Sequence, residues 1–230
     1  MKKLVVLSGA GISAESGLGT FRDSGGLWEN FRIEDVATPE AWAANPKLVQ
    51  EFYNLRRKTN NAANPNKAHE ILATLESHFD IEIITQNIDD LHERAGSSKV
   101  LHLHGEIVKS KSSGPKQEKA YYPIVGDTIK MGELCPDGYQ LRPHVVWFGE
   151  SVPLLEKAAE LVAQADIFLV VGTSLNVYPA AGLIHDVSNE CICFAIDPKE
   201  IPIGRKFKHI KENASEGIEL FRRKLLEIGS

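Results

Sequence analysis

Four short apolar runs, each ending where polar residues or glycine begin, constrain the fold of this chain more than any other feature. They are Leu4-Val5-Val6-Leu7, Ile81-Glu82-Ile83-Ile84-Thr85, Ile167-Phe168-Leu169-Val170-Val171-Gly172 and Cys191-Ile192-Cys193-Phe194-Ala195-Ile196. Near-continuous apolar stretches of this length suit strands buried on both faces, as in a parallel sheet. Segments with helical spacing lie at 66–78, 154–165, 180–187 and 215–227. The alternation predicts an α/β fold: a doubly wound, Rossmann-like parallel sheet. Ligands of such a sheet bind outside the carboxyl ends of its strands, so the residues that follow the four runs are expected to converge on one crevice.

Two segments break the alternation. One runs from Asp23 to about Asn61, with Trp28, Phe31 and a helix expected over 46–60; the other runs from Lys109 to Leu141 and is rich in Ser, Gly, Pro and Lys. We read them as a smaller inserted accessory module, 23–61 and 105–141, on a Rossmann-like part formed by 1–22, 62–104 and 142–230. With 230 residues, a single domain carrying such an insertion is the expected size class. The run Lys109-Ser110-Lys111-Ser112-Ser113-Gly114-Pro115-Lys116 reads as a solvated, mobile surface loop.

A net charge of −5, with no continuous Lys/Arg tract, argues against general affinity for nucleic acid. The apolar run near the start stops after four residues, short of the roughly 7–15 of a secretory signal, and no run approaches the roughly 20 of a membrane span. The expected location is therefore the cytoplasm, with no membrane partner; the oligomeric state is left open. The three cysteines form no C-x-x-C pair. Cys191 and Cys193 alternate with apolar residues as buried strand positions do, and Cys135 stands beside Pro136 with no ligand cluster.

The strand ends carry the chemistry. Gly9-Ala10-Gly11 follows the first run, but Ala14 stands where a dehydrogenase fingerprint needs its third glycine. The polar continuation through Ser13, Gly17, Gly19, Phe21, Arg22 and Asp23 suits a loop that wraps a dinucleotide. Asn87 and Asp89 follow the second run and read either as an Asx turn capping a helix or as polar groups for an amide or ribose. Gly172-Thr173-Ser174 reads either as a cap or as backbone N–H groups for a phosphate. His104 follows a short apolar stretch, 100–103, that delivers it to the crevice; His102, two residues earlier, shares its side of a regular strand, so spacing alone does not choose between them. A histidine titrating near neutrality is suited to take a proton from a hydroxyl.

Taken in order, these residues resemble the sirtuins, NAD-dependent protein lysine deacylases. The resemblance rests on GAGISAESGLGTFRD at 9–23, TQNIDDLHERAG at 85–96, HLHGE at 102–106, LRPHVVWFGESVP at 141–153 and VVGTSLNVYPAAGL at 170–183. It implies that Gly9, Ala10, Gly11, Ser13, Phe21, Arg22, Gln86, Gly172, Thr173, Ser174, Asn176 and Ala214 contact NAD, while Asn87, Ile88 and Asp89 line the nicotinamide and ribose pocket. It further implies that the acyl oxygen attacks C1′ of the nicotinamide ribose, that Asn87 and His104 are catalytic, and that His104 serves as general base on a ribose hydroxyl. Free lysine and O-acyl-ADP-ribose result. Val146, Phe148, Gly149 and Glu150 would lie in the acyl-lysine channel, where the protein substrate pairs as an added strand.

Tyr53 and Arg56 sit three apart in the expected helix and so share a face. A phenol beside a guanidinium suits a carboxylate, and this Y-x-x-R pair resembles that of the sirtuin subclass removing succinyl and malonyl groups. Ala37 matches the small residue that widens its pocket. Two departures stand out. Most sirtuins coordinate zinc through four cysteines between the catalytic histidine and the R-P-H segment; here only Cys135 lies in that interval, and Lys111 and Ser112 occupy the place of the first pair. One thiolate cannot build such a site, so no zinc is expected, and packing of Tyr121, Tyr122 and Ile124 is expected to hold the module. Ala195 stands where many sirtuins place an asparagine near the adenine ribose, predicting weaker NAD binding. Two other readings stay open: a protein mono-ADP-ribosyltransferase or NAD glycohydrolase, and a non-catalytic NAD or ADP-ribose sensor.

Overall fold

The computed structural model describes residues 1–19, 31–115 and 117–229. Its larger sheet contains β1 (Lys3–Ser8), β2 (Asp80–Thr85), β3 (Val100–His102), β7 (Ile167–Val171), β8 (Ile192–Ile196) and β9 (Phe207–Ile210), all parallel, in the order β3-β2-β1-β7-β8-β9. Counted within this sheet alone, that is the doubly wound order 3-2-1-4-5-6, and it reverses between β1 and β7. The four apolar runs are its four central strands. Along β1 successive side chains serve opposite faces: Leu4 and Val6 enter one hydrophobic layer, Val5 and Leu7 the other.

One layer lies under α5 (Lys67–Leu75) and α8 (Ala214–Gly229), where the Phe194 and Phe221 rings meet edge-on at 5.1 Å. The other lies under α7 (Leu155–Ala163) and a turn of 3-10 helix over Ala180–His185, tighter and shorter than the α-helix expected over 180–187. Local sequence sets the helix starts. Asn66 caps α5, accepting from Ala68 N at 3.0 Å, and the His69 ring returns a bond to the Asn66 amide. Asn45 followed by Pro46 opens α4 (Pro46–Ala62), and Thr38 followed by Pro39 opens α3 (Pro39–Ala44). Three one-turn helices complete the set: α1 (Gly11–Ala14), α2 (Ile33–Val36) and α6 (Leu91–Arg94).

A smaller antiparallel sheet, ordered β5-β4-β6, joins β4 (Gly105–Ser112), β5 (Tyr121–Pro123) and β6 (Leu141–Val145). It corrects two expectations. The run 109–112 is strand rather than solvated loop: Ser110, Lys111 and Ser112 are buried, and the Lys111 ammonium is paired with the Glu118 carboxylate at 2.5 Å. Nor do the three residues 121, 122 and 124 form an apolar core for it. Tyr121 is 42% exposed and stacks on the His144 ring at 3.8 Å. The inner groups here are ionic: Arg142, buried on β6, reaches Gln117 Oε1 and Glu150 Oε1 at 2.8 and 2.5 Å.

Candidate active site

The carboxyl ends of β1, β2, β7 and β8 open onto a cleft of about 880 Å³, inside the range of small-molecule sites. Two glycine turns pack against each other along it. Gly9 N–H donates to Val171 O at 3.0 Å, and Gly11 N–H donates to Gly172 O at 2.8 Å. A Cβ on Gly9 would stand 2.7 Å from the Thr173 Cβ, and one on Gly172 would stand 2.2 Å from Ile12 N at a φ of +62°. These positions need glycine for the apposition itself. The apposition brings Ala10, Ser13, Thr173, Ser174 and Asn176 to one cleft wall, and Gln86 Nε2 bridges to Thr173 Oγ1 at 3.1 Å. Phe21, Arg22 and Trp28 lie outside the described residues.

Past the end of β2 the polar groups are held in series. Asn87 Nδ2 donates to Gly9 O at 3.2 Å and to Ser13 Oγ at 3.1 Å, and that hydroxyl donates to Asp89 Oδ2 at 3.0 Å. Asp89 Oδ1 accepts from Leu91 N at 3.2 Å, so the Asx-turn reading holds while the side chain still lines the cleft with Asn87 and Ile88. Burial pushes the Asp89 carboxyl upward against the Leu91 amide and the Ser13 hydroxyl, which favour its ionised form.

The two histidines that spacing left equivalent are separated by their surroundings. His102, buried at the end of β3, faces two acceptors: Asn87 O lies 3.0 Å from Nδ1 and Glu93 Oε1 lies 2.7 Å from Nε2. Burial lowers its pKa, but the Glu93 carboxylate outweighs that and holds it above 6.5. His102 is thereby bound into the scaffold behind Asn87. His104 lines the cleft, with Nδ1 2.9 Å from Gln86 O. A carbonyl only accepts, so Nδ1 carries the proton and Nε2 keeps its lone pair. Burial lowers the pKa of this ring, leaving it neutral at neutral pH.

Tyr53 and Arg56 of α4 also border the cleft, with the Arg56 guanidinium carbon 6.0 Å from the Tyr53 ring centre. Burial pushes the phenol pKa up to about 12, against the pull of the Arg56 charge, so the hydroxyl stays protonated. Ala37, Val146, Phe148 and Gly149 line the same end. Phe148 N–H donates to Ala37 O at 3.0 Å, and Val146 N–H donates to His104 O at 2.9 Å. Glu150 also borders the cleft, but its oxygens serve Arg142 and the Trp147 N–H, which makes it a strut.

Ala195 requires a correction. It is fully buried in the middle of β8, paired with Val170 and His209, and is not part of the cleft wall; the ground for weaker NAD binding goes with it. Asp197, the first polar residue after β8, borders the cleft instead, as do Asn213 and the expected Ala214 at the start of α8. The strand-end rule that found Asn87 and Thr173, applied to the fourth run, points to Asp197. Trp147 was also missed, although it lies inside the motif at 141–153.

The residues present fit a dinucleotide: paired glycine turns, amide and carboxylate groups beyond β2, and a cleft of matching volume. Around Cys135 they do not fit a four-thiolate zinc site, which needs more than one cysteine. The thiol of Cys135 is engaged with Ser112 Oγ at 3.5 Å, and the residue before that serine, Lys111, is a buried ammonium. Among the described residues, no three His, Cys, Asp or Glu side chains are grouped to hold an ion. Likewise, no described helix is long and apolar enough to cross a membrane.

Sequence comparison matches residues 9–179 to the Sir2 family. An NAD-dependent protein deacylase of Bacteroides thetaiotaomicron is 51% identical, covering 98% of this chain and 99% of that protein. The protein of the same name from Helicobacter pylori strain J99 is 49% identical, covering 100% and 98%. Among solved structures, a Sir2 homologue–NAD complex superposes with a TM-score of 0.88 at 39% identity, covering 100% of this chain and 91% of the other. A Sir2 protein with a deacetylated p53 peptide and 3′-O-acetyl ADP-ribose superposes at 0.79 and 33% identity, covering 98% and 93%.

Proposed function

Since this chain belongs to the Sir2 family and is an NAD-dependent protein lysine deacylase, we propose that it removes succinyl and malonyl groups, and acetyl as well, from protein lysines. The observation that carries the acidic-acyl reading is that Tyr53 and Arg56 both border the cleft, ring centre and guanidinium carbon 6.0 Å apart, with Tyr53 and Ala37 packed in one hydrophobic cluster. A protonated phenol and a guanidinium offer donors and positive charge to a carboxylate, and the small Ala37 leaves room for it.

Each residue has a task in this reading. Gly9, Ala10, Gly11, Ser13, Gly172, Thr173, Ser174 and Asn176 hold the phosphate and ribose portions of NAD, with Gln86 tying the two strand ends together. Asp197, Asn213 and Ala214 border its far end. When bound, NAD supplies an electrophilic ribose carbon whose nicotinamide departs and an ADP-ribose that takes up the acyl group. Asn87 and Asp89, fixed through Ser13, orient the nicotinamide end. His104 takes a hydroxyl proton at Nε2 while the Gln86 carbonyl holds its Nδ1–H. Val146, Phe148 and Gly149 flank the acyl-lysine chain.

Because the ring must be neutral to act as base, activity is lost as pH falls through the His104 pKa. Burial lowers that pKa, so the acid limb of kcat/KM is expected to have its midpoint below 6.5, with full activity above it. A midpoint above 6.5 would contradict the assignment. The acyl reading is tested by turnover of matched acetyl-, malonyl- and succinyl-lysine peptides. Wild type should process both acidic acyl groups. Arg56→Met should lower their kcat/KM about 100-fold, the scale of a charge-assisted hydrogen-bonded pair, while acetyl turnover changes only a few-fold. Turnover of acetyl alone by wild type would refute it.

We propose further that the smaller sheet works without zinc, its place taken by two buried cations, Lys111 and Arg142, paired with the more exposed carboxylates of Glu118 and Glu150. Metal analysis should find no stoichiometric zinc, and prolonged chelation should leave the melting temperature unchanged. One zinc per chain would overturn this.

A further inference from the structure

The geometry points to Trp147 as a positioning residue that sets the direction of the Tyr53 hydroxyl hydrogen, and with it the preference for acidic acyl groups; this rests on the acyl reading above. Trp147 is buried, and its indole Nε1–H donates to Tyr53 Oη at 3.1 Å. An indole N–H only donates, so the phenol oxygen is the acceptor in that bond and its own hydrogen must point elsewhere. Among the described residues Trp147 is the hydrogen-bond partner of that oxygen, and Tyr53 borders the cleft beside Arg56. The phenol is thereby left to donate to a ligand rather than to the wall.

Trp147 is itself fixed at three points, two on the indole and one on the backbone. The Arg142 guanidinium carbon lies 3.8 Å from its ring centre, the Trp42 ring lies at 5.8 Å, and its backbone N–H donates to Glu150 Oε2 at 2.8 Å. Arg142 in turn donates to Glu150 Oε1, so the cation stacked on the indole and the carboxylate holding its backbone are one ion pair. A cation over the indole face also draws electron density from the ring and makes its N–H a better donor. Arg142 and Glu150 therefore act on the acyl carboxylate at third hand, through Trp147 and then Tyr53.

This chain of contacts has a distinguishing signature. Trp147→Phe keeps an aromatic ring between Arg142 and Tyr53 but removes the N–H. The ratio of kcat/KM for succinyl over acetyl peptide is expected to fall about tenfold, the effect of losing one orienting hydrogen bond. Because the effect runs through the phenol, Trp147→Phe in a Tyr53→Phe background should leave that ratio where Tyr53→Phe alone puts it. A merely structural tryptophan would lower the melting temperature and both activities together, with the ratio unmoved. If Arg56→Met abolishes succinyl turnover while Trp147→Phe leaves the ratio intact, or lowers it equally in both backgrounds, this inference fails and the acyl reading survives. Failure of wild type to process succinyl peptide would overturn both.

Discussion

His104→Ala is expected to lower kcat/KM by about 10³-fold for every acyl peptide, the scale on which a positioned general base contributes. The side chain lines the cleft, and its Nδ1–H meets the Gln86 carbonyl. Truncation leaves that carbonyl beside a water-accessible cleft, so the stability cost should be small. The measurement is steady-state turnover beside a thermal melt. Loss of activity with a melting temperature within a few degrees of wild type supports a chemical role. A loss under tenfold would return His104 to the scaffold, and His102, whose two ring nitrogens already face protein acceptors, offers no replacement.

The second large effect is on the frame. Gly172→Ala is expected to destabilise the protein by about 3 kcal/mol or more and to abolish NAD binding. An alanine at positive φ costs about 1–2 kcal/mol, and here the added Cβ also meets Ile12 N at 2.2 Å and the Gly11 carbonyl carbon at 2.6 Å. Those are backbone atoms of the facing turn, so relief requires the two turns to separate. Gly182→Ala is the control: nothing lies within 4 Å of the Cβ it would add, and it should melt like wild type. Equal stability of the two variants, by urea unfolding, would show that the apposition is loose.

The parts of this architecture that could be read from the sequence are those in which burial leaves no alternative. Strands β1, β2, β7 and β8 lie inside the sheet with neighbours on both sides, so their sequences are near-continuously apolar, with Glu82 of β2 only partly buried. Edge strand β9, Phe-Lys-His-Ile, is half exposed and carries no such signature. Residues 109–112 of β4 were read as loop because Lys111 is buried with its charge paired: it is satisfied by Glu118, seven residues on, and composition alone cannot distinguish a paired ammonium from a solvated one.

The site divides in the same way. Asn87, Asp89, Gly172 and Thr173 were found because they end buried strands. His104 could not be separated from His102 by period-two spacing, since β3 ends at His102 and His104 lies beyond its regular geometry. What separates them is whether each ring faces the protein or the cleft. Ala195 was misassigned by two positions: the polar group at the end of β8 is Asp197, and an alanine inside a parallel sheet has no path to a ligand.

In the function proposed above, this cleft moves an acidic acyl group from lysine to ADP-ribose, with His104 taking the hydroxyl proton. The most direct test is a mass balance on wild-type enzyme, NAD and a succinyl-lysine peptide. Equal amounts of nicotinamide, free-lysine peptide and O-succinyl-ADP-ribose are predicted, with no nicotinamide released when peptide is omitted. Nicotinamide without deacylated peptide, or ADP-ribose carried on the peptide, would contradict the account and favour NAD hydrolysis or ADP-ribosyl transfer.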